Sequence, residues 1–266
     1  MMQNKVLGIL VTYNPDLLTL KKNIELILAQ VSKLYIFDNN SNNISQIESV
    51  LDNSIVLIKS NLNLGLGKAY NIVLECEKIN FEFFVTFDQD TLIPDSTIFK
   101  LRELLLVNKE IGVIGPVFSR NNQSIKQSGK IQFKYVIIQS CAIFRMQLYK
   151  DIGGFNEEYF IDSVDFEYCL RILKNGYKVA IYDGIEINHE LGTQKQIGYI
   201  NYVSHNAFRN YYIARNHKKI TLKYLKSFPF FIAKKNLFFV LHLLKLIALE
   251  RDFKKIKFFF KGLFSN

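Results

Sequence analysis

Asp88-Gln89-Asp90 closes an apolar run, Phe81-Glu82-Phe83-Phe84-Val85-Thr86-Phe87, that reads as a buried strand. Two carboxylates one residue apart, where such a strand stops, suit a hard divalent cation, Mg²⁺ or Mn²⁺, that in turn holds a diphosphate. The plain alternative is a solvated turn, so the pair gains weight only from its neighbours. Two further apolar runs, residues 6–11 and 34–37, also end in polar clusters, Thr12-Tyr13-Asn14 and Asp38-Asn39-Asn40-Ser41. An Asn/Ser-rich loop of the second kind suits a nucleobase or ribose, although Asp and Asn favour turns in any case.

Asn63, Gly65, Gly67 and Lys68 lie where a loop becomes a helix. Backbone N–H groups at a helix start suit an anionic phosphate. The spacing is neither a Walker loop nor Gly-x-Gly-x-x-Gly, and close helix packing explains small residues equally well. Residues 153–171 are the richest stretch. Asp162 and Asp165 lie three apart at a helix start, where a carboxylate serves either as N-cap or as general base. Arg171 is spaced to pair with Glu167. His189 follows a strand and neighbours the acidic clusters as a metal-ligand candidate. Arg209, Tyr211, Tyr212, Arg215 and Asn216 share one helical stretch, from which Arg209 and Arg215 would reach a diphosphate or stand in solvent.

The elements that must position these groups alternate. Strands are expected at 6–11, 34–37, 55–58 and 81–87. Helices are expected from the spacing of Leu17, Leu20, Ile24 and Ile27, and over 65–79. That order predicts a Rossmann-like, mostly parallel sheet covered on both faces, with ligands beyond the strands' carboxyl ends. Beyond residue 110, strands are expected at 111–118, 138–144 and 177–182, and a helix at 164–175.

The 266 residues are 49% hydrophobic, enough for a core. Three widely spaced cysteines give no disulfide or zinc framework, and no signal-peptide cleavage site follows Met1, so a cytoplasmic location is expected. The net charge of +10 is uneven: residues 217–266 hold 11 Lys and one Arg against Glu250 and Asp252, which leaves residues 1–216 neutral. A catalytic domain over 1–216 and a basic extension over 217–266 are expected.

The motif order Val11-Thr12-Tyr13-Asn14-Pro15, Asp38-Asn39, Asn63-x-Gly65-x-Gly67-x-x-x-Asn71 and Asp88-Gln89-Asp90 resembles the inverting glycosyltransferases of family 2, which have a GT-A fold. Gly153-Gly154-Phe155 through Arg171 resembles the segment that carries the family's catalytic base. His189-Glu190-Leu191-Gly192 and the 209–216 stretch are most like bacterial rhamnosyltransferases. The resemblance implies that Thr12, Tyr13, Asn14, Asp38, Asn63, Gly65, Lys68, Asp88 and Gln89 hold the nucleotide. It implies Asp90 and His189 for Mg²⁺ or Mn²⁺, Arg209 and Arg215 for the diphosphate, and Asp165 as base. The implied reaction moves a sugar, L-rhamnose from dTDP-rhamnose or a hexose from a UDP-sugar, to a lipid-linked saccharide of a bacterial surface polysaccharide such as O-antigen. The chain departs from the family at Val164, where Glu is common, and at Cys141, where Gly is usual. It has no Trp, so it lacks the Gln-x-x-Arg-Trp signature of processive synthases, and single transfers are expected.

Residues 236–249 form an apolar helical pattern shorter than the about 20 residues a bilayer span needs. Phe253, Ile256 and Phe260 recur on one helical face among Lys254, Lys255, Lys257 and Lys261. This pattern fits an anionic membrane surface, the inner face of the cell membrane. The alternative is that 236–249 packs on the catalytic part or on a second copy as a homodimer contact. Nucleic acid is not expected, because no recognition fold accompanies the charge. A sugar nucleotidyltransferase would need a Gly-x-Gly-x-Arg loop where Thr12-Tyr13-Asn14-Pro15 stands. A non-catalytic nucleotide-sugar-binding adaptor would have no use for both Asp90 and Asp165.

Overall fold

The computed structural model describes residues 5–119, 127–188, 193–197 and 200–265. Strand β1 (Val6–Thr12) is buried along its whole length and is an inner strand of an eight-stranded sheet. Its side chains alternate as the strand period of two requires. Leu7, Ile9 and Val11 enter one core, and Val6 and Leu10 enter the other. An apolar strand buried on both sides is the signature of a sheet sandwiched by helices.

The first half of the fold follows the expected alternation. The elements are α1 (Leu17–Leu28), β2 (Lys33–Asp38), α2 (Ile44–Ser49), β3 (Ile55–Lys59), α3 (Leu66–Glu77), β4 (Phe83–Asp88) and α4 (Thr97–Val107). Asp16 caps α1 by accepting from Thr19 N at 2.9 Å. β1 pairs in parallel with β2 and β4, and β2 with β3. The carboxyl ends of β1, β2 and β4 therefore share one edge of the sheet.

The second half is mixed. It comprises β5 (Ile111–Ser119), β6 (Ile131–Phe133), β7 (Ala142–Arg145), α5 (Met146–Ile152), α6 (Val164–Lys174) and β8 (Lys178–Asn188). The sheet order is β3-β2-β1-β4-β7-β5-β8-β6. β7 runs antiparallel to β4 and β5, β5 and β8 pair in parallel, and β6 is antiparallel to β8. The strand expected at 138–144 begins only at Ala142. Cys141 has φ +59°, and Thr86 Oγ1 holds the carbonyl of Gln139, so residues 138–141 form a loop over the end of β4. The strand expected at 177–182 runs on to Asn188 through a register shift opposite Pro116 and Val117.

A two-stranded ribbon, β9 (Thr193–Ile197) and β10 (Ile200–Ser204), leads into α7 (Ala207–Tyr224). Then come α8 (Pro229–Lys245), a π-helical turn over Leu246–Glu250, and α9 (Phe253–Leu263). Position 216, the expected domain boundary, lies inside α7. The same helix continues into the main core through Ile220 and Tyr224, and Ile232 of α8 joins them. Packing thus does not divide where charge does. Ala214, Leu246 and Phe259 form a satellite core between α7, the π turn and α9. The buried face of α9 is carried by Phe259 with Ile256 and Leu263, whereas Phe253 is 80% exposed and stands outside it. Ile256 therefore faces inward, not with Phe253 as the sequence pattern suggested.

α9 crosses α7 at Gly262, where an added Cβ would lie 2.1 Å from the carbonyl oxygen of Tyr211. Gly262→Val should force the helices apart at a cost of about 1–3 kcal/mol, the usual range for overpacking. Thermal unfolding should show a lower midpoint. An unchanged midpoint would mean that α9 does not pack on α7 in solution.

Candidate active site

The shared strand edge opens into a cleft of about 910 Å³. Thr12, Tyr13, Asn63, Gly65, Asp88, Gln89, Asp90, Asp165 and Arg209 all line it. Residues spread over nearly 200 positions of sequence thus converge on one space.

One side of the cleft is built by the ends of β1, β2 and β4. Asp38 is 1% exposed and lies beneath the lining, accepting from Thr12 Oγ1 at 2.9 Å and Ser41 N at 2.8 Å. It fixes the first two strand ends relative to each other. Gln89 Oε1 accepts from Tyr13 N at 2.8 Å and ties the β4 end to the β1 end. Asn23 of α1 donates to the carbonyl of Asp88 at 2.9 Å. Asp90 is exposed at the cleft. Gly65 has φ +79°, and a Cβ there would meet the Phe160 carbonyl oxygen at 2.5 Å. Only glycine fits, because the start of α3 receives the loop before α6 at that point.

Besides Asp38, three expected site residues do not line this space. Asn14 links loops, with its N–H on Ser41 Oγ and its Oδ1 accepting from Asn42 N. Lys68 lies 3.9 Å from Glu157 on the surface. Arg215 donates to the Glu158 carbonyl and stacks over Tyr212. His189 lies outside the described residues.

The other side is built by α6 and the segment before it. Neither Asp162 nor Asp165 caps the helix: the N-cap is Ser163, and Asp165 lies in the first turn. Asp162 and Ser163 are both left-handed, with φ +60° and +65°. Arg209 of α7 clamps the Asp162 carboxylate through Nε and Nη2 at 2.8–3.1 Å. Asn216 Nδ2 donates to the carbonyls of Ile161 and Asp162, each at 2.8 Å. Two residues on, Glu167 is wholly buried and bound by Arg171, Lys223 and Tyr224, each at 2.8 Å. These charged donors outweigh burial and hold it below the usual carboxylate range. Arg171 also donates to the carbonyls of Ile152 and Gly154, which fixes the preceding loop.

Asp165 has the opposite electrostatics. Burial pushes its carboxyl up to about 7, and the charges of Asp162 and Asp88 add to the shift. A carboxyl near 7 at a helix start is suited to accept a proton. Among the described residues no three His, Cys, Asp or Glu converge on one point. Mg²⁺ and Mn²⁺ sites that use substrate phosphates need only one or two carboxylates, and Asp88 and Asp90 could serve as such hard oxygen donors. The surplus of negative charge here fits such a cation. Burial pushes the Cys141 and Cys169 thiols well above their ordinary range, so neither is a nucleophile at neutral pH.

Sequence spacing predicted the Arg171–Glu167 pair but missed the hold of α7 on Glu167 through Lys223 and Tyr224, Asn216 as a brace, and the inner side of α8. Phe231, Lys235, Phe238, Phe239 and His242 of α8 line the cleft's far wall. Their spacing of four, three, one and three is a helical stripe, and it was the available signal.

A raised Asp165 means that folding takes up a proton. Its stabilising contribution is complete near pH 4 and is lost as pH rises toward 7. In EDTA and without nucleotide, Asp165→Asn should raise the unfolding midpoint over the parent more at pH 8 than at pH 5. A pH-independent difference would mean that Asp165 titrates like an ordinary aspartate.

Residues 9–157 match the model of Glycosyl transferase family 2. The chain is 31% identical over 236 residues to the dTDP-rhamnosyl transferase RfbF of Shigella flexneri, covering 81% of this chain and 79% of that protein. Among solved structures, the mannosyltransferase PcManGT from Pyrobaculum calidifontis, in complex with GDP-Man and Mn²⁺, superposes with a TM-score of 0.63 at 16% identity. That match covers 84% of this chain and 64% of PcManGT. GalNAc-T7 with UDP, GalNAc and Mn²⁺ gives 0.59 at 10% identity, over 71% of this chain and 44% of that one. At such identities the structures speak for the fold, a GT-A-like α/β arrangement, and the chain spans less than two thirds of either. With its family model over more than half its length and a curated relative over most of it, the chain belongs to glycosyl transferase family 2.

Proposed function

We propose that this chain transfers a single sugar, L-rhamnose from dTDP-rhamnose, to a hydroxyl of a lipid-linked glycan, with inversion, in bacterial surface polysaccharide synthesis. The observation that carries the reading is the cleft itself, which Asp88, Asp90 and a raised Asp165 line together. The named relative supports the choice of donor.

In this reading Asn63, Gly65 and the strand-end residues Thr12, Tyr13 and Gln89 bind the nucleotide. Asp88 and Asp90 would hold a divalent cation, which would supply Lewis-acid neutralisation of the diphosphate's charge. The acceptor hydroxyl lies between Asp165 and the anomeric carbon. Asp165 takes the hydroxyl proton as the new C–O bond forms, and the anomeric carbon's bond to the diphosphate oxygen breaks on the opposite face. The nucleoside diphosphate leaves with the bonding electron pair. General-base help contributes ~10²–10⁴-fold. Arg209 is occupied by Asp162 and acts as a brace of the base rather than as a diphosphate ligand.

Two variants separate the roles. Asp90→Ala should lose the Mn²⁺-dependent thermal protection given by dTDP or UDP. Asp165→Asn should keep that protection and lose transfer by at least ~10²-fold. Normal turnover in Asp165→Asn, or a larger loss in Asp162→Asn at equal folding, would place the base elsewhere.

The same reading places the enzyme on the anionic inner face of the cell membrane. Phe230, Leu237, Leu241, Leu244, Phe253 and Phe264 are about half to nearly fully exposed along α8 and α9. No described helix is long and apolar enough to cross a membrane. Lys254, Lys257 and Lys261 are exposed beside that surface. Lys255 is not available to headgroups, because it is bound to Glu250 and Ser204. Lys254, Lys257 and Lys261 changed together to Gln should reduce flotation with anionic vesicles at low salt, where each lysine adds ~1 kcal/mol. Flotation equal to the parent would mean that this apolar surface meets another protein chain instead.

A further inference from the structure

Lys235 lies on the side of α8 that lines the cleft together with Asp165. Its ammonium is held over the ring of Phe166, the residue after Asp165, at 4.1 Å, and over Phe231 at 5.6 Å. Phe231 is itself stacked on Tyr135 at 4.9 Å. The position of the charge is therefore set by packing. α8 is in turn fixed on α7, where His217 stacks on Phe239 at 4.1 Å and bonds Asn236 at 2.7 Å.

Several other cations of the C-terminal half are paired, whereas the neighbouring Lys234 is exposed. Arg209 pairs with Asp162, Lys223 with Glu167, and Lys245 and Lys255 with Glu250. Among the described residues Lys235 has no carboxylate within ion-pair distance; its partners are the two rings. Burial pulls its ammonium below the usual lysine range, against a smaller opposing effect of Asp165. A partly dehydrated ammonium without a counter-ion, in a ligand-sized cleft, is a place for an anion to bind. Phe166 and Phe231 flank that charge, and Ile213, Ile220, Phe238 and Phe239 line the same cleft. Beyond them the outer side of α8 exposes Leu237, Leu241 and Leu244.

We propose that Lys235 binds the phosphate of an amphiphilic acceptor whose hydrocarbon chain leaves the cleft along α8. The inference rests on the transferase reading above and assigns the acceptor its anchor: an ammonium for the phosphate, aromatic rings for the first part of the chain, and the exposed side of α8 for the remainder. The donor's diphosphate is assigned to Asp88 and Asp90 of the same cleft, and Asp88 and Lys235 are each close enough to Asp165 for their charges to act on it. This arrangement leaves the acceptor's sugar over the base.

The test uses the full chain saturated with dTDP and Mn²⁺, so that the donor site is occupied. Binding of farnesyl diphosphate, farnesol and inorganic pyrophosphate is measured by calorimetry. The parent should bind farnesyl diphosphate more tightly than either fragment. Lys235→Met should weaken farnesyl diphosphate by roughly tenfold to a hundredfold, the range of a charge-assisted hydrogen bond, and leave farnesol unchanged. Lys235→Arg should retain binding. Retained dTDP binding shows that each variant is folded and keeps failure of this inference separate from failure of the transferase reading. Equal farnesyl diphosphate binding by Lys235→Met and parent would overturn the assignment of the anion to Lys235. Pyrophosphate binding as tight as farnesyl diphosphate would overturn the amphiphile and leave a site for a free anion.

Discussion

The acceptor half of the cleft depends on a turn that the chain would not adopt unaided. Asp162 and Ser163 are consecutive left-handed residues without glycine, each disfavoured by about 1–2 kcal/mol. The turn persists because α7 grips it from outside, Arg209 on the Asp162 carboxylate and Asn216 on two successive carbonyls. Two neutral hydrogen bonds and one charged pair, at about 1 kcal/mol and 1.5–3 kcal/mol each, are of the size needed to hold it. α6 starts immediately after this turn, so the direction of Asp165 follows from it.

A second anchor fixes the other side of the same helix. Glu167 lies in the turn after Asp165 and is buried with Arg171, Lys223 and Tyr224 around it. Removing one member would leave a buried charge unpaired, which is far more destabilising than losing a surface pair. The two carboxylates illustrate opposite treatments two residues apart. Glu167 is surrounded by donors and stays ionised, whereas Asp165 has few and is raised into the range where proton transfer near neutral pH is efficient. α7 supplies both anchors, so the basic C-terminal segment belongs to the site even though its charge sets it apart.

The donor side was readable in sequence because its groups sit at strand ends, and strand ends follow from local apolar runs. Thr12, Asp88 and Asp90 needed only the period of the strands and the order of the elements. Asp165 was readable through its helix start, but the cause of its position was not, since the left-handed turn depends on Arg209 and Asn216 from 47 and 54 residues away. Arg215 shares a helix with Arg209, yet it reaches Glu158 rather than the cleft. A helix period alone does not say which side meets which neighbour. The same limit applied to α8, where one side lines the cleft through Phe231 and Lys235 while Leu237 and Leu241 stand outside.

The central claim is that α7 aims Asp165 at the acceptor. Asn216→Ala removes the brace from the Asp162–Ser163 turn without touching the cleft lining. Transfer of labelled sugar from dTDP-rhamnose to a bacterial membrane-lipid extract, measured beside dTDP affinity with Mn²⁺, tests it directly. The account predicts unchanged dTDP affinity and transfer lowered by roughly 10²-fold, the effect of a misplaced reacting group. Full transfer by a folded Asn216→Ala protein would contradict it.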